Sequence, residues 1–124
     1  MKRLSLVIFF FLTTNAFAQL CPAYTDAEID EAIFRAEGGD KAKPYYYGIR
    51  SVKCDSKDDC RRICLNTVKN NRKRFNAYGK SRHRDYISFL ASRFCPIAGK
   101  NLSRAEKKLN KNWEKNVRYF LGES

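Results

Sequence analysis

Four helix starts, each with its own stop, constrain this chain more than any other feature. Thr25 and Glu28 have the spacing of a capping box, in which a hydroxyl and a carboxylate satisfy the free N–H groups of a first turn. Ser103 and Glu106 repeat that spacing, Ser56 and Asp59 give a variant with the shorter acid, and Asp85 is a good N-cap. Each start precedes apolar residues at three- and four-residue spacing, the period of a helix with one buried stripe. Ile29, Ala32, Ile33 and Ala36 mark the first stripe; Cys60, Ile63, Cys64, Thr67, Val68, Asn71 and Phe75 trace the second. Tyr86, Ile87, Phe89, Leu90 and Phe94 leave the third helix little polar surface, which makes it central. Leu109, Trp113, Asn116, Val117, Phe120 and Leu121 line the fourth. The stops are Gly38-Gly39, Gly79, Pro96 and Gly122. The pattern predicts a mainly α domain of about four to five helices. Only residues 45–53 have the aromatic and β-branched composition of a strand, and Gly48 interrupts them, so at most a short β element is expected there.

The first eighteen residues lie outside this pattern. Lys2 and Arg3 precede an apolar run from Leu4 to Leu12, and Ala16-Phe17-Ala18 has the form of a cleavage site before Gln19. The run is too short to span a bilayer. Residues 1–18 therefore read as a signal peptide and 19–124 as one domain, exported to the periplasm or secreted after cleavage near Ala18, with no transmembrane segment and acting as a monomer. A domain of this length buries a small core, and export permits disulfides to help it. Of the cysteines Cys21, Cys54, Cys60, Cys64 and Cys95, the odd count leaves at least one free or intermolecular. Cys54 and Cys60 bracket the polar loop 55–59 and are expected to close it. Cys64, one turn after Cys60, faces inward and is expected to meet Cys95 in the core. A zinc site at Cys60 and Cys64 lacks a second close pair, and His83 is the only histidine, so no metal is expected.

The chain carries 25 basic and 13 acidic residues. Without Lys2 and Arg3 the net charge is about +10, which predicts attraction to polyanions. Outside the cytoplasm these are cell-wall polymers, anionic lipid and free nucleic acid. Arg61, Arg62, Lys69, Arg72 and Lys73 lie opposite the apolar stripe of the second helix, as a polyanion rail or simply a solvated face. No nucleic-acid-binding motif accompanies them, or Arg74 beside them, so no specific nucleic-acid partner is expected.

Glu37 is the residue with the most chemical content. It follows Ile33 by four residues, which sets a carboxyl at the edge of the first apolar stripe, and the glycines end the helix directly after it. Desolvation and the negative end of the helix dipole both raise its proton affinity. A carboxyl that holds its proton near neutral pH is what a general acid for glycoside cleavage requires. The alternative is a partly solvated Glu tolerated in a last helical turn.

With Ala36-Glu37-Gly38-Gly39 and Tyr47-Gly48-Ile49 taken together, the chain resembles the lysozyme-like superfamily, and within it the soluble lytic transglycosylases. In that family a helix ends in a catalytic Glu followed by small residues, and an aromatic-Gly-aliphatic segment borders the cleft. The stretches from Phe89 to Pro96 and from Asn112 to Leu121 are also similar to small members. Gly38 stands where the family has Ser, Arg50-Ser51 where Met-Gln commonly follows, and no late Tyr-Asn motif is visible. The resemblance implies an α+β lysozyme-like fold and cleavage of the β-1,4 bond between N-acetylmuramic acid and N-acetylglucosamine in peptidoglycan glycan strands, on an anionic wall surface. Most glycosidases flank the bond with two carboxylates. Only Glu37 is well placed here, since Asp40 follows two glycines and reads as a loop acid. One Glu suffices if the substrate's N-acetyl group attacks the anomeric carbon, and this chemistry needs no cofactor. Tyr46 and Tyr47 offer flat faces to sugars, Gly48 close backbone approach, and Ser51, Asn112 and Asn116 polar contacts. Trp113 falls on the apolar stripe and reads as core. A lysozyme-type hydrolase and a non-catalytic cationic wall binder remain the alternatives.

Overall fold

The computed structural model describes residues 23–95 and 101–123. The expected leader, Cys21 and the stop at Pro96 lie outside the described residues. The helices are α1 (Asp26–Ala36), α2 (Lys57–Ala77), α3 (Tyr86–Phe94) and α4 (Arg104–Phe120), with short 3-10 turns at Gly39–Ala42 and Gly79–Ser81. The capping boxes form as spaced. The Glu28 N–H donates to the Thr25 hydroxyl at 3.2 Å, and the Thr25 N–H donates to the Glu28 carboxylate at 2.7 Å. Ser103 and Glu106 repeat the exchange at 3.2 and 2.8 Å. Such a cap stabilises a helix by about 1 kcal/mol. At Ser56 only half of the box forms: the hydroxyl accepts from the Asp59 N–H, while the Asp59 carboxylate accepts from Asp55 instead.

The stripes converge on one core. Ile29 and Ile33 of α1, Cys64 and Val68 of α2, Leu90 of α3 and Val117 of α4 are fully buried. Each such aliphatic side chain contributes about 1.5–3 kcal/mol of transfer free energy. The third helix is central as its composition predicts, with Tyr86, Ile87, Phe89, Leu90 and Ala91 all buried between α2 and α4. α1 packs on both α2 and α4, which brings its C-terminal end against residues distant in sequence. No described helix is long and apolar enough to cross a membrane.

The fold is mainly α, as expected, and the short β element allowed at 45–53 does not form among the described residues; three other expectations are corrected. The Tyr45 N–H donates to the Ala42 carbonyl and the Gly48 N–H to the Tyr45 carbonyl, each at 2.9 Å, so the backbone closes on itself as turns. Leu109 is not in the core: residues 103–109 are all exposed, and the first turns of α4 stand beyond the packed helices. The Cys54–Cys60 disulfide is present, but Cys64 and Cys95 are free thiols. The Cys64 thiol is buried beside the Asp30 carboxyl of α1, which fixes it toward α1 rather than toward a disulfide partner on α3.

The third correction concerns the cationic face of α2. Arg61 Nε reaches Asp30 Oδ2 at 3.1 Å, and that carboxyl is only 1% exposed. Arg72 Nε bonds Asp26 at 2.7 Å, and its Nη2 donates to the Tyr24 carbonyl at 2.8 Å. Arg62 pairs with Asp59 at 2.6 Å. Arg61 and Arg72 therefore hold α2 against α1 and its approach. A continuous rail of free charge does not exist there.

Candidate active site

Glu37 is the C-cap of α1. Its N–H still donates to the Ile33 carbonyl at 2.9 Å, so its side chain keeps the direction of the last helical turn. Gly38 then takes a φ of +106°, which a residue with a Cβ rarely adopts, and the chain leaves the helix at once. The carboxyl is half-buried between elements the sequence does not bring near it. The indole N–H of Trp113 donates to Oε1 at 2.8 Å. Trp113 is itself buried and stacks on Phe94 with ring centroids 5.1 Å apart, so the donor is held by α3 as well as by α4. On another side Gly48 lies close against the carboxyl. A Cβ at Gly48 would sit 2.4 Å from Cδ and 2.5 and 2.6 Å from the two oxygens. The close approach that glycine permits here is to Glu37.

Burial raises the Glu37 pKa above its ordinary value, and it outweighs two opposing effects, the Trp113 hydrogen bond and the positive charge of Arg50. This carboxyl therefore keeps its proton at higher pH than a surface Glu, and it remains partly accessible to solvent.

Among the described residues, no second carboxylate shares the site. Asp40 is 75% exposed and bound to Lys57 Nζ at 2.8 Å. Asp30 lies seven residues before Glu37, about two turns along the same edge of α1. It is sealed in the core: one oxygen accepts from Arg61, and Oδ1 has no hydrogen-bond partner among the described residues. Burial raises its pKa too, against the pull of Arg61. A group so enclosed cannot direct a water onto a substrate.

Of the expected sugar-binding residues, only Gly48 is brought directly to Glu37. Tyr47 is corrected: it is 3% exposed and packs on Phe34 with centroids 5.3 Å apart, so neither ring face is free for a sugar. Tyr46 is half-buried and Ser51 exposed. Asn112 and Asn116 are exposed on α4, close in sequence to the turn that carries Trp113. Sequence reasoning missed two groups around the carboxyl. Trp113 was visible only as an apolar residue, although a lone indole N–H in a core needs an acceptor. Arg50 was visible as a charge two residues after Gly48.

A sizeable cavity lies elsewhere. Its volume is about 510 Å³, and Tyr24, Ile29, Arg72, Lys80, His83 and Arg118 are among its walls, at the N-terminal end of α1. Size alone would favour it as a binding site. Its two half-buried arginines are already committed, Arg72 to Asp26 and Arg118 to Asp85, Glu114 and Glu123. The raised carboxyl and its donor lie at the other end of the helix.

No family model matches the chain, and neither a curated protein nor a solved structure matches it. Fold and site together define a small helical protein built around one half-buried carboxyl of raised proton affinity.

Proposed function

We propose that this chain is a peptidoglycan lytic transglycosylase, with Glu37 as its single acid and base. The observation that carries the reading is the environment of that carboxyl: burial raises its pKa, Trp113 donates to one oxygen, and Gly48 packs closely against it. Protonated Glu37 gives its proton to the glycosidic oxygen as the bond to the anomeric carbon breaks. The 2-acetamido oxygen of the same sugar attacks that carbon, supplying the nucleophile that the absent second carboxylate would provide. Glu37, now a carboxylate, takes the proton of the muramyl 6-hydroxyl. That oxygen displaces the acetamido oxygen at the anomeric carbon and closes a 1,6-anhydro ring, and the enzyme returns to its starting protonation state. The half-buried site favours this closure over attack by bulk water. The test is mass spectrometry of wall digested by the chain: anhydro ends support the reading, and reducing ends identify a hydrolase of the lysozyme type.

One observation favours a second reading, a non-catalytic cationic wall binder. Lys107, Lys111 and Lys115 are exposed at four-residue spacing on α4, and no described carboxylate pairs with them. They are the face on which an anionic polymer would settle. A binder releases no muropeptide, and its binding is unchanged when Glu37 is replaced.

A further inference from the structure

Most arginines given a partner in this structure face a carboxylate; Arg50 does not. Arg35, Arg61, Arg62, Arg72, Arg84 and Arg118 each form an ion pair. Arg50 is exposed, and its guanidinium lies over the ring of Tyr45, 5.6 Å from the centroid. That aromatic face attracts the planar group, and no described residue accepts from its N–H groups. The residue sits two positions after Gly48, whose backbone is pressed on the Glu37 carboxyl, and its charge reaches that carboxyl. If its task were to activate a general acid, the charge would be misplaced, since a cation favours the ionised form. A guanidinium with an open fork is a receptor for a planar anion.

We propose that Arg50 determines substrate specificity by binding a carboxylate carried on the 3-O-lactyl substituent of the sugar whose anomeric carbon reacts. The inference rests on the proposed reading of Glu37 for its choice of substrate. The lactyl group hangs from the same ring as the scissile bond, so a ring that reacts at Glu37 carries it into the same site. Two sources supply the anion. In stem-free glycan the lactyl carboxylate itself is free, and a hydrolase that cuts the lactyl–peptide amide must act first. In stem-bearing glycan the lactyl carbonyl is an amide, and the nearest carboxylates belong to the peptide. A neutral N-acetylglucosamine oligomer has none.

The experiment measures binding of three ligands, stem-free glycan fragments, stem-bearing fragments and the neutral oligomer. The proteins are the Glu37→Gln chain and the same chain with Arg50→Gln or Arg50→Lys, compared at fixed salt. Loss of one charge-assisted, two-pronged contact is expected to weaken binding about 10- to 100-fold. Arg50→Gln should do so for a carboxylate-bearing ligand and leave the neutral oligomer unchanged. Arg50→Lys should recover only part of the loss, because lysine lacks the fork. The ligand that shows the larger loss identifies the source of the anion. In the active chain, Arg50→Gln should raise KM on that ligand far more than it lowers kcat. An equal loss on all three ligands, or no loss on any, overturns the proposal. A wild-type chain that cuts none of the three refutes the proposed function, while the binding comparison still decides the role of Arg50.

Discussion

The indole N–H of Trp113 on α4 donates to Oε1 of Glu37 at the end of α1, 2.8 Å away across 76 positions of sequence. This bond makes the protonation of the carboxyl depend on the docking of α4. Trp113→Phe keeps an aromatic ring against Phe94 and removes the donor. The bond opposes the rise of the Glu37 pKa, so its loss moves that pKa further up. The alkaline limb of the kcat/KM profile is expected to shift to higher pH, at a stability cost of about 1 kcal/mol in urea denaturation. An unchanged limb would mean that the indole does not govern the proton.

Gly48→Ala tests the contact on the other side. Gly48 and Gly122 both have positive φ, +70° and +85°, so alanine strains the backbone at either. Only at Gly48 does the new Cβ meet the Glu37 carboxyl, since nothing lies within 4 Å at Gly122. Gly48→Ala is expected to destabilise by about 1–3 kcal/mol more than Gly122→Ala. It should also displace the carboxyl and abolish wall cleavage, whereas Gly122→Ala should retain it.

The raised pKa of Glu37 has a consequence for stability. A carboxyl that holds its proton more tightly when folded than when unfolded favours the native state at low pH. That advantage is lost as pH rises from the ordinary carboxylate range through the raised native value. Glu37→Gln cannot ionise and keeps an oxygen for Trp113. Its melting temperature is expected to equal or exceed that of wild type at neutral pH, with the difference vanishing or reversing below the ordinary carboxylate range. A variant destabilised more at neutral than at acid pH would contradict the shift.

The helices were legible because their caps are local. Thr25 with Glu28, and Ser103 with Glu106, announce starts that need no tertiary context. The position of Glu37 at the edge of a stripe was legible for the same reason. Its partners were not, because Trp113 and Gly48 meet it through helix packing that periodicity cannot rank. Tyr47 illustrates the loss: composition shows a tyrosine next to a glycine, and only the packing against Phe34 reveals that its ring is buried. The charges on α2 failed similarly, since Asp26 and Asp30, which bind Arg72 and Arg61, lie on a different helix. Leu109 fitted the helical period, but the period does not say where the core ends.

Charge therefore divides into structural and free sets. Arg61→Ala leaves the buried Asp30 carboxyl without its cation and is expected to cost about 1–3 kcal/mol. Replacing Lys107, Lys111 and Lys115 together by Glu should leave the melting temperature nearly unchanged. It should weaken binding to anionic wall at low salt, an effect that fades as salt rises. Sedimentation with purified wall and a thermal melt on each variant separate the two. Wall binding that survives the lysine reversal at low salt would place the attraction elsewhere.

The most direct measurement is the mass spectrum of soluble fragments released from purified peptidoglycan by wild type, Asp40→Asn and Glu37→Gln. Glu37 should be essential because no other described carboxylate is positioned to give or take a proton there, while Asp40 is exposed and held by Lys57. Wild type and Asp40→Asn should release muropeptides with 1,6-anhydro ends. Glu37→Gln, folded and as stable as wild type, should release none. Full release by Glu37→Gln would contradict the assignment of Glu37 as the acid and base.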